Sequence, residues 1–413
     1  MSAFPARLAA RPTAVLGRAT AASLTPAASR TPAAQHRGAT AAPGRRAPGT
    51  TVAALLIAAA ASGISGPSLA LPTAARALHV PTASAAWLMT AYGLGLLVGT
   101  PLLAGTSGRR GPAALVRAGA ALVALGAAIV LAAPSALLPL VAGRAVEAAG
   151  AAGLTVAAFR IAGRDRSGRS TGLVAIGNAA GGTLGLFVGA GAAQLLGWRA
   201  ALVMPLLALA VLPAALRPAG RAQQAGAAGQ AGQAGRTRSG TPDGRFRDAL
   251  PLGLLRRPDF RRPALLMLAL ATVNFALVYG APRRVASLTG WGPLPTGAPV
   301  ASVALAGALL SWQLVRLAPA LGTARVRVLL GAGSAAAAAA AFAPWPPVVL
   351  LGSALSSLVT AGGQGVLTGS AVGGLAPERQ GGAIGLFNLA FPAGVAAGPV
   401  LAGFADQTVQ FLY

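Results

Sequence analysis

Arg144 and Glu147 stand three residues apart inside an apolar run, 136–157, and Glu147 is the one acid within the first ten such runs of the chain. A spacing of three puts both side chains on one face of a helix, one turn apart, within reach of each other. An ionisable group at the centre of a bilayer costs at least ~2.5 kcal/mol on insertion scales, so it faces protein or a water-filled cavity and has a partner. Two chemistries fit the pair. A carboxyl that takes up and releases a proton beside a fixed guanidinium can couple proton movement to rearrangement, whereas a permanent salt bridge only neutralises the arginine. Trp87, Tyr92, Asn178, Asn274, Tyr279, Trp312, Gln313, Gln364 and Asn388 lie in other apolar runs. Each can bond a neighbouring helix or line a path for a solute. The chain has no cysteine, and its two histidines, His36 and His79, form no metal constellation, so thiol chemistry, disulfides and the usual zinc sites are excluded. No nucleophile, acid pair or metal cluster has a supporting motif, so neither an enzyme nor a cofactor is expected.

The elements that must carry these residues are eleven apolar runs, approximately 51–72, 85–105, 113–133, 136–157, 170–194, 199–217, 263–283, 297–316, 326–343, 347–371 and 382–404. Each is close to the ~20 residues a helix needs to cross ~30 Å of hydrocarbon. With 55% hydrophobic and only 10% charged residues, the bilayer is the solvent this composition suits. The last five runs repeat the first five at an offset of 213 residues: Asp165-Arg166-x-Gly168-x-x-x-Gly172-Leu173 returns as Glu378-Arg379-x-Gly381-x-x-x-Gly385-Leu386, and Gly181-x-x-x-Gly185 as Gly394-x-x-x-Gly398. Such an internal duplication marks a multi-helix membrane unit present twice. The partner of the sixth run would start near residue 412, and the chain stops at Tyr413, so a twelfth helix is expected to be missing.

A net charge of +26 could suggest nucleic acid, but the placement of the arginines argues for a membrane. With the N-terminus in the cytoplasm, most fall on that side, while Arg76, Arg199, Arg283 and Arg284 fall outside, as the positive-inside rule requires. The expected location is the plasma (inner) membrane, multi-pass. Residues 1–50 contain no acid and read as a disordered cytoplasmic tail, with a twin-arginine signal at Arg45-Arg46 or a transit peptide as competing readings. Residues 51–217 form a six-helix bundle, 218–262 a cytoplasmic linker with an Ala-Gly-Gln repeat, and 263–413 a five-helix bundle.

Several motifs then converge. Ala70-Leu71-Pro72 closes the first helix, and Trp87-x-x-Thr90-Ala91-Tyr92-x-Leu94 occupies the second. A turn follows at Leu103-Ala104-Gly105-Thr106-Ser107-Gly108-Arg109-Arg110, helix four carries Gly143-Arg144-Ala145-Val146-Glu147-Ala148-Ala149-Gly150, and helix five ends at Gly197-Trp198-Arg199. Together these resemble the drug:proton antiporter branch of the major facilitator superfamily, over nearly the whole chain after residue 50. The resemblance implies two helical bundles around a central cavity that opens alternately to each side of the membrane, an arginine in proton transfer at Arg144, and a gating loop at Gly108, Arg109 and Arg110. The chain departs from that pattern in three places. The loop has Gly105 and Thr106 where the family has Asp-Arg, Gly63 stands where the branch commonly has an acid, and Leu186 replaces the proline of the helix-five motif.

Helix five also carries Gly177, Gly181, Gly185 and Gly189 at every fourth position, matched later by Gly394 and Gly398. Small residues let backbones approach where lipid offers no hydrophobic gain. The stripe is expected against a helix of the other half, as a static seam or as one that opens in export. The resulting expectation is a monomeric transporter that exports small lipophilic molecules, of the drug or antibiotic efflux type, with the lipid bilayer, the substrate and protons as partners and no nucleic acid. A uniporter or importer of the same fold remains open, and so does a degenerate relative without transport, a membrane scaffold or gene remnant.

Overall fold

The computed structural model describes residues 48–162, 169–234, 251–375 and 377–412, with side chains described except at 48, 106–110, 169–172, 175, 222, 223, 225–234, 377–381 and 404–412. Most of the expected tail, the acid-arginine motif at 165, and the side chains of the expected gating loop and of the acid-arginine repeat at 378 therefore lie outside the described residues.

The first crossing is interrupted. Helix α1 (Pro48–Ser65) tightens into a 3-10 turn over Gly66–Ala70 and resumes as α2 (Leu71–Leu78). Pro67 is the cause, because it has no N–H to return to the carbonyls behind it and its ring collides with the preceding turn. The expectation that Ala70-Leu71-Pro72 closes this helix is corrected: Pro72 sits in the first turn of α2, where its missing N–H costs nothing, and the apolar crossing extends over Gly49–Leu78.

A short α3 (Thr82–Ala85) leads into α4 (Trp87–Ala132), which departs from helical geometry at Gly111, with φ 74° and ψ 169°. Glycine tolerates that left-handed backbone, and Pro112 starts the second limb with a fixed helical φ. The turn expected over Leu103–Arg110 is thus corrected: the helix persists to Arg110 and the chain reverses at Gly111. After α5 (Leu137–Ala162) and α6 (Arg169–Leu196), α7 (Trp198–Leu202) and a 3-10 turn (Met204–Leu206) bring the chain into α8 (Leu207–Ala234). Helix α8 thus runs well past the expected linker boundary at 218. A 3-10 turn at Leu252–Arg256 precedes the second half: α9 (Pro258–Thr289), α10 (Pro293–Leu321), α11 (Thr323–Ala340), α12 (Pro346–Val372), α13 (Pro377–Asn388) and α14 (Ala390–Leu412).

Shifted by 213 residues, α1 falls on α9, the two limbs of α4 on α10 and α11, α5 on α12, and α6 on α13 and α14. Packing follows the same correspondence: α1 lies on α6 as α9 lies on α14, and between halves α4 meets α14 as α10 meets α6. The fold is all-α, with two pseudo-symmetric bundles and no strand among the described residues. Nine of its helical segments there are long and apolar enough to cross a membrane. Two more fall at the expected sixth and ninth runs and are less apolar, since α8 carries Arg217 and Arg221, and α11 opens on Arg325 and Arg327.

The glycine stripe shows the duplication at atomic scale. A β-carbon on Gly177, Gly181, Gly185 or Gly189 would run into the backbone of Ala54, Ala58, Ser62 or Gly66, all of them on α1 or the turn that follows it. In the second half Gly394 meets Ala271 and Gly398 meets Phe275, the same positions 213 residues on. The stripe therefore seals α6 to α1 within one bundle, which corrects the expectation that it faces the other half. Close approach of two helices needs small residues on both, and α1 supplies them at matching spacing.

The side of the bundle at which α1 starts is here termed proximal; the opposite, distal side carries the α4–α5, α6–α7 and α9–α10 connections. Close approaches between the halves lie toward the distal side. Gly93 touches the backbone of Ala396, Gly297 packs on Leu69 and Ala190, and Gly403 nears Ala83.

Candidate functional site

Helix α5 delivers Arg144 and Glu147 to the interior of the first bundle, and both side chains are fully buried. The helix can lie this deep because its face is built of small residues. A β-carbon on Gly143 or Gly150 would collide with α4, and Gly126 on α4 abuts the backbone of Glu147. Arg144 Nη1 donates to Glu147 Oε2 at 2.7 Å and to the Leu202 carbonyl at 2.5 Å, while Nη2 donates to the Gly63 carbonyl at 2.8 Å. Its guanidinium lies 4.2 Å from the centre of the Tyr92 ring, a distance at which the ring quadrupole attracts the cation.

The two carbonyls share a local cause. Pro67 follows Gly63 by four residues, and Pro205 follows Leu202 by three. In helical geometry those positions would return an N–H to the earlier carbonyl, and proline has none. Arg144 supplies the missing donors. Buried carbonyls without partners cost about 1–3 kcal/mol each, so the arginine completes the backbone of two interrupted segments while Glu147 balances its charge.

Neighbouring elements fix the acceptors. Gly197, at φ 89°, turns the chain from α6 into α7, a conformation that an L side chain rarely adopts. Arg199 then donates to the carbonyls of Leu131 at 2.8 Å and Ala133 at 2.9 Å, tying α7 to the end of α4 and holding Leu202 in place. On α1, Tyr92 donates to the Ala60 carbonyl at 2.8 Å and Tyr279, from the second half, to the Ile64 carbonyl at 2.6 Å. A β-carbon on Gly63 would come within 2.5 Å of Pro205 Cγ and 2.6 Å of the Tyr92 hydroxyl. Gly63 thus has no room for a side chain here, and the nearby acid is Glu147. Among the described residues, Glu147 Oε1 and Arg144 Nε have no hydrogen-bond partner.

The structure therefore gathers Arg144, Glu147, Tyr92 and Tyr279 around one segment of α1. The other cavity candidates are spread. Asn274 accepts from Ser356 at 3.2 Å across α9 and α12, Asn178 and Gln364 are half-buried, and Trp87, Trp312, Gln313 and Asn388 are exposed. Sequence reasoning missed the carbonyls of Gly63 and Leu202 as ligands of the arginine. The signal was present in Pro67 and Pro205, each placed to leave a carbonyl open. Among the described residues no group of histidine, aspartate or glutamate could hold a metal ion.

Residues 51–340 match the family model of the Major Facilitator Superfamily. No curated protein matches the chain. Among solved structures, a bacterial homolog of the human lysosomal transporter Spinster, in an inward-facing and occupied conformation, aligns with a TM-score of 0.61 and 17% identity over 87% of this chain and 81% of that one. Its inward-facing unoccupied form gives a TM-score of 0.60 and 16% identity over 88% and 84%. At such identity the likeness is one of fold. Two homologous bundles, interleaved at α4 with α14 and α6 with α10, and a family match across most of the sequence lead to one assignment: this chain belongs to the major facilitator superfamily, a multi-pass membrane protein of transporter fold.

Proposed function

We propose that the chain exports small lipophilic or weakly cationic molecules by alternating access of its two halves, driven by inward proton flow, with Glu147 as the group that carries the proton. The supporting observation is the enclosed Arg144–Glu147 ion pair, with both side chains fully buried. A proton on Glu147 would cancel the charge that balances Arg144 and leave the guanidinium held by two neutral carbonyls and a ring. An uncompensated buried cation is strongly disfavoured, so protonation supplies a driving force for rearrangement or water entry. A fixed salt bridge would leave transport independent of Glu147. The arginine distribution supports an N-terminus in the cytoplasm, and the apolar composition of the chain, 55% hydrophobic and 10% charged, suits a substrate that partitions into lipid.

The test is accumulation of a panel of dyes and antibiotics in cells making the chain, with and without a protonophore. Export is expected to stop with protonophore, and Glu147→Gln is expected to abolish it at unchanged membrane abundance. Full efflux by Glu147→Gln removes the residue from the coupling role. The uniporter or importer reading draws on Gly105 and Thr106 in place of the loop acid and arginine, and predicts movement that ignores the protonophore. A non-transporting relative would show no difference from empty cells.

A further inference from the structure

We infer that Tyr279 is the latch that holds the distal side shut, and that it senses the Arg144–Glu147 pair through the break in α1; the second clause rests on the coupling role proposed above. Three hydroxyl or guanidinium donors converge on one turn of α1: Tyr92 on the Ala60 carbonyl, Arg144 on Gly63 and Tyr279 on Ile64. The first two come from the same bundle. Tyr279 alone of the three crosses to the other half, and its side chain is 1% exposed.

The register explains why this tyrosine can act across the halves. Position 279 is the repeat counterpart of Gly66, and the two residues sit at equivalent heights on α9 and at the end of α1. In the first half that position is Gly66, whose backbone a β-carbon on Gly189 would strike. In the second half Ala402 occupies the counterpart of Gly189, and α9 directs a tyrosine toward the first half instead. Ile64 offers its carbonyl because the chain beyond it tightens into the 3-10 turn Gly66–Ala70, in which the donor three residues on would be Pro67, which has no N–H. The open acceptor left by the break is thus shared: one carbonyl is filled from within the bundle by a cation, the next from across the seam by a neutral hydroxyl.

Adjacent carbonyls of one short turn cannot move independently. When the distal side opens, Tyr279 withdraws and Ile64 loses its donor in apolar surroundings. When Glu147 takes a proton, Arg144 loses its counter-charge and its hold on Gly63 weakens, so the turn that presents Ile64 to Tyr279 loosens. The latch and the ion pair then stabilise the same closed state.

The natural chain lacks cysteine, so a single reporter reads the seam directly. Ala190→Cys sits fully buried on α6, against Gly297 of the second half. In purified protein in nanodiscs, without substrate or gradient, maleimide labelling of this reporter measures distal opening. Tyr279→Phe keeps the ring and removes the hydroxyl; it is expected to speed labelling about tenfold, as loss of one buried hydrogen bond should. Glu147→Gln is expected to speed it several-fold. The double variant is expected to label no faster than about twofold above Tyr279→Phe, because both changes release one device. Labelling within twofold of the parent for Tyr279→Phe overturns the latch. Effects that multiply in the double variant overturn the link to the ion pair. Neither readout needs efflux, so failure of the export reading is scored separately by the accumulation assay.

Discussion

Helices α5 and α12 occupy equivalent places in the two halves, yet only α5 carries charge. Arg144 and Glu147 correspond to Ser357 and Thr360, and Thr360 donates to the Leu270 carbonyl of α9 at 3.1 Å where Arg144 donates to the Gly63 carbonyl of α1 at 2.8 Å. The difference follows from the facing helix. Pro67 breaks α1, whereas its counterpart Gly280 sits within α9, which continues as helix from Pro258 to Thr289. A helix that stays continuous keeps most of its carbonyls satisfied, even though Pro282 withholds one N–H from α9, and it takes only a hydroxyl bond from α12. A broken one needs a donor from outside, and a buried cationic donor needs an acid. The duplication thus kept the backbone frame in both halves and placed a charge where the frame was interrupted.

Removing the arginine should break this comparison most severely. Arg144→Ala is expected to lower unfolding free energy in detergent by about 3–5 kcal/mol, because Glu147 is left as a lone buried charge and two carbonyls lose their donor. The counterpart change Ser357→Ala should stay within ~0.5 kcal/mol. Equal losses from the two would mean that α5 and α12 carry similar loads.

The seams sharpen the same contrast at a smaller scale. Gly181→Ala should cost about 1–3 kcal/mol through overpacking against Ala58 of α1, and Gly394→Ala a comparable amount against Ala271. Gly182→Ala faces open space and should be neutral or slightly stabilising, since alanine favours helix over glycine. Thermal unfolding of the three variants separates seam packing from helix propensity. A large loss at Gly182 would contradict the seam geometry.

The smallest effect is expected on the uncharged side. Thr360→Val removes one hydroxyl bond of α12 and should cost ~1 kcal/mol, measured by the same unfolding. A loss approaching that of Arg144→Ala would show that the hydroxyl does more than hold registry.

The helix number, the duplication and the i, i+3 pair were legible in the sequence because periodicity, apolar run length and a lone acid are local signals. Helix partners were less legible. Gly177, Gly181, Gly185 and Gly189 announce a close approach without saying to what, and the answer lay in Ala54, Ala58, Ser62 and Gly66, whose matching period is hidden among the many small residues of α1. Boundaries failed where proline was read as a terminator: Pro72 begins a helix, whereas Pro67 does the breaking. Tyr92 and Tyr279 are cavity-lining candidates in the sequence, and the structure gives their hydroxyls to carbonyls of α1; which carbonyl a distant tyrosine meets is set by tertiary packing and leaves no mark on composition.

The central claim is that the buried arginine and the break in α1 form one device. A double-mutant cycle between Arg144→Ala and Pro67→Ala tests it most directly, with unfolding free energy measured in detergent for the parent, both single variants and the pair. Restoring an N–H at position 67 gives the Gly63 carbonyl an intrahelical donor, so Arg144→Ala should cost at least ~1 kcal/mol less in that background. Losses that add to within ~0.5 kcal/mol, the behaviour of independent sites, would contradict the account.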